Sequence, residues 1–582
     1  MSVRLDYLPN LLKNEPPGAD EFMPRREKAY QSLFSNSHRI VFCILFALQI
    51  GIIWALPHFA TQDGPMHLYN AALLRNIQSP EWPGIAQIYQ LNQRPVPNWA
   101  IEALLAGMFS FFRPAVAEKV LVTGYFALFC AGFVYALSSL RKNAGDFWVL
   151  GLMLANNFLL GMGFYNFCYG LALFLLAFGY WMRRRDQILW PHAIALAGFG
   201  VTVYFSHIFC FLMVAFFIGV MAICYSLDEL TSQTRSPQRE WLPLLKRIVV
   251  PELALMPCLF MALIFLRGAH GENFPRGSSF WERLSLYRGL FVLVNTRSRL
   301  DTLFLVLFAL FLAGSICSLG ICRIKLRKTI PTDGLLAISA VCTAMYVVMP
   351  DSLFGGSFVS ERLALFALCA ALLWVACQEW NSFHRKVATW AAVLVVSLSL
   401  ISEVQWRARL SPLFDAFDLA SSVIQPGSTV LSVCYCDPLD SAVPVLSIVR
   451  PWVLVHAGGL SALPSRSVLL YNYEAIGNTF PIEYQPQANF YEAMPLASFK
   501  TLVSNMSRSP QLIDLNDFEH RASKRIDYVL LWGGGDPDDV EASKFPLYQQ
   551  LRSDYQLAFI SPAPGQLQVF RRSDHRTPDA RN

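Results

Sequence analysis

The chain has 582 residues, of which 54% are apolar, 14% aromatic and only 15% charged, with a mean hydropathy of +0.39. Soluble chains carry about a quarter charged residues, so a single soluble globule is excluded. The net charge of +6 comes mainly from basic residues flanking apolar runs and leaves no basic footprint for nucleic acid.

Residues 1–39 form a polar N-terminal tail with Arg25, Arg26, Lys28 and Arg39. It lacks the short apolar core and small-residue cleavage site of a secretory signal, and its Pro- and Asn-rich start reads as poorly ordered. From Ile40 to Leu400 apolar runs long enough to cross a bilayer recur. Eleven spans are expected, at 40–57, 117–139, 147–162, 164–182, 188–205, 207–226, 247–267, 300–322, 332–350, 361–378 and 386–402. The apolar segment from Pro97 to Phe112 is short for a span and is expected to lie in the interface. Counting it as a crossing gives twelve.

Short basic loops stay in the cytoplasm. With the N-terminus inside, Arg141-Lys142, Arg183 to Arg185, Lys246-Arg247, Arg323 to Lys328 and Arg385-Lys386 all fall on that side. The opposite face then holds a long loop at 58–116, a tight turn from Asn156 to Asn166, His207, a basic loop from Arg267 to Arg299, and Asp351 to Arg362. It also holds the tail domain.

That domain, residues 403–572, reads as α/β. Strands are expected at Ser428–Cys434, Trp452–His456, Ser467–Tyr471, Ile526–Trp532 and Gln566–Arg571, between Pro- and Gly-rich turns. Residues 573–582 are expected to be disordered. Of thirteen cysteines, all but Cys434 and Cys436 lie in apolar runs, where a thiol acts as a small buried hydrophobe. No disulfide framework is expected.

The segment with the most chemistry runs from Thr61 to Asn70 and contains Asp63, Gly64, Pro65, His67 and Tyr69. An acid where a span meets water serves as a general base or a cation ligand, or it caps a helix beginning at Gly64-Pro65. His67, one helical turn on, is near Asp63 and is a metal ligand, an acid or an interfacial histidine. Glu361-Arg362 opens a late span. Arg362 either binds a lipid phosphate through its planar fork or snorkels to the interface. Arg267 and Arg276 belong to a charged outer loop that either surrounds an anionic head group or is simply solvated. Asn156 and Tyr165 sit at the small-residue turn and are candidates for substrate contact. No motif demands a cofactor, and a divalent cation is compatible with Asp63 and His67. The turn after Trp532 lacks both the P-loop lysine and the spaced acids of an EF-hand.

Taken together, these features resemble the GT-C superfamily of membrane glycosyltransferases. Asp63, in Asp63-Gly64-Pro65-Met66-His67, takes the position of the acid that opens the family's first outer loop. Pro95 to Trp99 resembles the Pro-rich entry to its interfacial helix. Glu361-Arg362-Leu363-Ala364-Leu365-Phe366 resembles the late segment whose arginine meets the lipid phosphate. The likeness covers about residues 40–400. The tail segments Asn472 to Ala475 and Phe480 to Tyr484 are similar to uncharacterised bacterial membrane proteins of this type and imply no activity.

The resemblance implies a polytopic helical domain with an outer α/β tail in a bacterial inner membrane. It implies transfer of a sugar from a polyprenyl-phosphate donor to a glycan or lipid acceptor, with Asp63 as base and Arg362 on the phosphate. His67, Tyr69, Asn156, Tyr165, Arg267, Arg276 and Glu361 are the further candidates for substrate contact. Many members carry a second acid in the second outer loop, where this chain has Asn156, Asn157, Tyr165 and Asn166, so metal use stays open. A non-catalytic scaffold and a transporter-like protein are the alternatives. The transporter needs charged groups midway through its spans.

Overall fold

The computed structural model describes residues 25–573 apart from 142–144, 188, 233–240, 269–280, 282, 284–287, 327–329, 354–355, 435–443, 477–478, 490–512, 534–545 and 563–565. It begins with helix α1 (Arg25–Ala55), followed by α2 (Gly64–Asn76), α3 (Ile85–Ile88) and α4 (Ala100–Met108) in the loop expected on the outer face. Next come α5 (Pro114–Leu140), the short pair α6 (Val149–Ala155) and α7 (Phe158–Gly161), α8 (Tyr165–Arg184) and α9 (Trp190–Ser206). The remaining long helices are α10 (Ile208–Ser232), α11 (Trp241–Gly268), α12 (Arg299–Leu326), α13 (Gly334–Val348), α14 (Val359–Cys377) and α15 (Ser382–Ala420).

Among the described residues nine helical stretches are long and apolar enough to cross a membrane. The chain is a multi-pass membrane protein. Its outer helices leave apolar rows exposed at three- and four-residue spacing, such as Leu253, Met256, Phe260 and Leu263 on α11 and Leu303, Val306 and Leu310 on α12. These are faces that hydrocarbon covers. At the centre stands α14, buried at every position except Glu361.

The expected eleven spans lose two by this measure. Segment 147–162 is not one helix, because the first piece ends at Asn156 and Asn157 caps the second, accepting the Leu160 N–H at 3.1 Å. Residues of both α6 and α7 are buried, and protein burial is what permits interrupted helix at membrane depth. Segment 188–205 is the helix α9, with 17 residues. The Pro97 to Phe112 segment forms only the nine residues of α4, about 14 Å long and under half the thickness of the hydrocarbon core. It does not cross.

Helix α15 has 39 residues, about 58 Å, so it outruns the bilayer and carries the chain into the tail without a break at residue 403. The tail adds strands to β1 (Tyr89–Leu91) of the outer loop: β2 (Thr429–Cys434), β3 (Val468–Leu469), β4 (Ile482–Tyr484), β5 (Tyr528–Trp532), β6 (Tyr555–Ile560) and β7 (Leu567–Arg572). Short helices α16 (Pro444–Ile448), α17 (Gly458–Ala462), α18 (Leu515–Ala522) and α19 (Pro546–Asp554) complete it.

Five strands form a sheet in the order β3-β2-β5-β7-β6. β2 runs parallel to β3 and β5, and β7 is antiparallel to both its neighbours. The central β5 is buried at all five positions, which its continuous apolar run requires. Trp452–His456 is not a strand. The Trp452 N–H goes to the Gln62 side chain at 2.8 Å, and the Val455 and Ala457 amides close local turns. The unanticipated β6 is an edge strand with a mostly exposed face, which blurs the alternation. Apart from Ser573, the last ten residues lie outside the described residues, as do Cys436 and most of the turn after Trp532.

The link between α1 and α2 is strapped to α15. Arg407 is fully buried over the Phe59 ring, pairs with Glu403 and donates to the Ala60 carbonyl at 2.7 Å. The His58 N–H donates to Ser411 Oγ, and its Nε2 lies 3.2 Å from Asp415 and 3.1 Å from Asp418. Burial works against a charge on His58, but the Asp418, Glu118 and Asp415 carboxylates outweigh it and raise its pKa. A raised histidine pKa contributes stability below the unfolded value of about 6.5 and loses it as pH rises through the folded one. Thermal unfolding of the purified protein against a His58→Gln variant should therefore show a wild-type advantage near pH 6, about 1 kcal/mol because both aspartates are half exposed. The advantage should vanish toward pH 9.

Candidate active site

Two backbone bonds seat the Asp63 loop on the second outer turn: Gln62 N–H to the Gly161 carbonyl at 3.2 Å, and Asp63 N–H to the Met162 carbonyl at 3.0 Å. Gly163 adopts a φ of 82°, and a Cβ there would lie 2.8 Å from the amide nitrogens of both Asp63 and Gly64. The small residues of this turn dock a loop rather than merely letting helices approach.

Asp63 stands at the cap position of α2, yet its side chain makes no capping bond. The Gly64 N–H goes to Thr61 Oγ1 at 3.1 Å instead. The Asp63 carboxylate, only 1% exposed, accepts the Tyr473 O–H at 2.6 Å and the Gln62 amide at 3.2 Å, with His456 Nε2 3.6 Å away. Burial pushes its pKa up to about 6, against the pull of the Tyr473 hydrogen bond and the charge on His67. It is ionised at neutral pH.

One turn on, His67 is buried with an acceptor against each ring nitrogen. Nε2 donates to the Gly163 carbonyl at 3.0 Å, while Nδ1 lies 2.8 Å from Glu102 Oε1 and 3.1 Å from Glu474 Oε1. Burial opposes a charge, but the two carboxylates prevail and lift the pKa to about 10. Without another cation in the cluster, His67 is an imidazolium.

Asn166 donates to Glu102 Oε2 at 3.0 Å, and Asn70 donates to Glu474 Oε2. Asn70 is itself paired with Asn472, whose amide donates to it at 2.7 Å. Burial and the charge of Glu102 push the Glu474 pKa up, with His67 pulling down. His456 stacks on Tyr473 with ring centroids 4.3 Å apart. Burial and the charge on His67 lower its pKa to about 3, so it is neutral.

Tyr165 donates to Glu118 at 2.7 Å and shares a 3.0 Å hydrogen bond with Thr61. Gly64 lies beneath, where a Cβ would meet both partners at 2.4 Å. Arg362, in the first turn of α14, is 9% exposed and lies over the rings of Phe164 and Phe167. Among the described residues no carboxylate pairs with it, and its Nε has no partner. Phe358 holds a left-handed φ of 60° and packs on Phe158 and Phe164. Such a bulky residue at positive φ is strained, and here it braces the wall beside Arg362. Tyr473 lies within electrostatic reach of Arg362, and Phe164, on which Arg362 packs, directly follows the Gly163 that abuts the Asp63 backbone.

The structure thus gathers Asp63, His67 and Tyr165 around the Gly163 turn, while Arg362 packs on Phe164 and Phe167 with Glu361 partly buried beside it. Tyr69 is a strut: its hydroxyl donates to the Ser467 carbonyl at 3.2 Å and accepts the Leu469 N–H at 2.8 Å. Asn156 is buried at the end of α6, its side-chain oxygen without a partner among the described residues. Arg267 is exposed in the last turn of α11, joined to the group by no described bond. Arg276 lies outside the described residues. The sequence did not single out Glu102, Glu118, Glu474, Tyr473 or His456. Only Glu102 carried a local signal, as the one acid in an otherwise apolar interfacial segment.

Fold and site define a polytopic helical membrane protein with a C-terminal α/β domain and a buried, acid-rich cluster between the loop after α1 and the tail. Among solved structures the chain is similar to ArnT from Cupriavidus metallidurans, crystallised with undecaprenyl phosphate. The identity is 11% and the TM-score 0.44, over 94% of this chain and 98% of that one. It is also similar to the arabinofuranosyltransferase AftD from Mycobacteria, at 12% identity and a TM-score of 0.41, over 92% of this chain and 40% of the longer AftD. Both are GT-C membrane glycosyltransferases. No family model and no curated protein matches the sequence.

Gly163→Ala should cost about 1–3 kcal/mol in backbone strain alone and displace Asp63. Scanning fluorimetry of the purified protein should show a clear loss of Tm. Gly198→Ala, where a Cβ meets nothing within 4 Å, should be neutral.

Proposed function

We propose that this protein is a glycosyltransferase of the extracytoplasmic face of a bacterial inner membrane. It moves a sugar from a polyprenyl-phosphate donor to an acceptor hydroxyl, with inversion. The observation that carries this reading is the freedom of Asp63 from capping: its buried carboxylate is aimed instead at Tyr473.

A buried carboxylate with a pKa near 6 is both ionised and basic enough to accept a proton in the transition state. The acceptor O–H proton passes to Asp63 as the acceptor oxygen attacks the anomeric carbon. The bond from that carbon to the phosphate oxygen breaks with its electron pair on the phosphate. Arg362 holds the departing phosphate, since a guanidinium without a carboxylate partner in a nearly dry setting binds phosphate strongly. Tyr473 fixes the Asp63 rotamer. On the scaffold alternative, Asp63 would cap α2 and Arg362 would face lipid, and neither is observed. The transporter alternative lacks its mid-span charge on the central helix, where the ionisable Glu361 and Arg362 sit in the first turn of α14.

In an assay with a panel of radiolabelled polyprenyl-phosphate sugars, Asp63→Asn should lower transfer by about 10²–10⁴-fold while expression and Tm hold. Wild-type turnover in Asp63→Asn would remove Asp63 as the base. Arg362→Gln should raise KM for the donor far more than KM for the acceptor, and an unchanged donor KM would place the phosphate elsewhere.

A further inference from the structure

We propose that His67 Nδ1, Glu102 Oε1 and Glu474 Oε1 form a binding site for a divalent transition-metal ion, of the Zn²⁺ or Mn²⁺ type. The three residues come from α2, from α4 and from the tail, and all are buried. Their ligand atoms lie within 4.8 Å of one another. Separations of 2.8 and 3.1 Å from Nδ1 to the two carboxylate oxygens approach the spacing of about 3.3 Å between ligands that share one tetrahedral ion with bonds of about 2.0–2.1 Å.

The hydrogen bonds that hold the three side chains leave their inner atoms facing one another. His67 Nε2 donates to the Gly163 carbonyl, the outer contact that holds a metal-ligating imidazole in place and leaves its other nitrogen to offer a lone pair. The side-chain amides of Asn166 and Asn70 take Oε2 of Glu102 and of Glu474. The outer oxygen of each carboxylate is thereby held, and the inner one is left facing Nδ1. Tyr473 O–H lies 3.2 Å from Glu474 Oε1 but closer to Asp63, its principal acceptor.

Among the described residues no lysine or arginine contacts either glutamate. One imidazole and two carboxylates suit Zn²⁺ or Mn²⁺, whereas Mg²⁺ prefers oxygen and water. Three protein ligands leave a coordination position open.

The site stands on its own ligands, whether or not Asp63 is a base. The full-length protein in detergent, stripped with EDTA and dialysed against Zn²⁺ or Mn²⁺, should retain one equivalent of one of them by plasma mass spectrometry. Loading should raise its Tm. Glu102→Gln and Glu474→Gln keep shape and amide contacts and should each retain at least tenfold less, with no metal-dependent rise in Tm. Asp63→Asn should keep the full equivalent, which separates this site from the transfer chemistry. Less than a tenth of an equivalent of both metals in the wild type would overturn the proposal, and so would an undiminished equivalent in folded Glu474→Gln.

Discussion

The buried meeting of His67 with Glu102 and Glu474 is the constraint on which the rest of the outer architecture depends. Each partner arrives on a different piece of chain: the first outer helix, the short helix that follows it, and the tail. Burying ionised groups costs several kcal/mol apiece unless they are paired and hydrogen-bonded. Here His67 answers both carboxylates, and Asn70 and Asn166 satisfy their remaining oxygens. Removing any one of the three strands the others in a dry setting. The tail is therefore held in one position over the outer loop, and Asp63, a single turn away, inherits that position.

The same loop is fixed from three further directions. Gly161 to Gly163 receives its backbone from below, Arg407 and Asp418 tie its N-terminal approach to α15, and Tyr69 and Tyr89 hydrogen-bond to the β3 backbone. β1 and β4 pair the outer loop with the tail through Tyr89 opposite Tyr484. A catalytic carboxylate gains from such support, because positional error of an ångström is costly in a preorganised site. Gly459 shows how close the fit is: a Cβ there would lie 2.6 Å from the Pro65 carbonyl oxygen.

Much of this was legible in the sequence, for reasons that can be named. Apolar runs announce membrane helices because hydrocarbon tolerates little else, so the long helices fall where expected. The exceptions are instructive. The 147–162 run is apolar because protein surrounds it, and composition does not distinguish burial in protein from burial in lipid. Asp63 stood out because an acid at a membrane edge is rare. Whether it capped a helix or did chemistry was undecidable locally, since the deciding partner, Tyr473, lies 410 residues further on. Glu474 was invisible for the same reason: a lone glutamate in a polar tail is ordinary until folding places it against His67. Local patterns report the periodicity of an element, and they are silent about which distant element closes on it.

That distance has a consequence for biosynthesis. At about 5–20 residues per second, the ribosome adds Tyr473 roughly 20–80 s after Asp63. Through that interval the nascent protein holds His67 and Glu102 without Glu474, and Asp63 without Tyr473. The buried cluster is completed only when nearly the whole chain has been made and the tail sheet has assembled. Premature release of the chain, or delay in folding the last 150 or so residues, would then yield a membrane domain with most of its helices present and its site unformed.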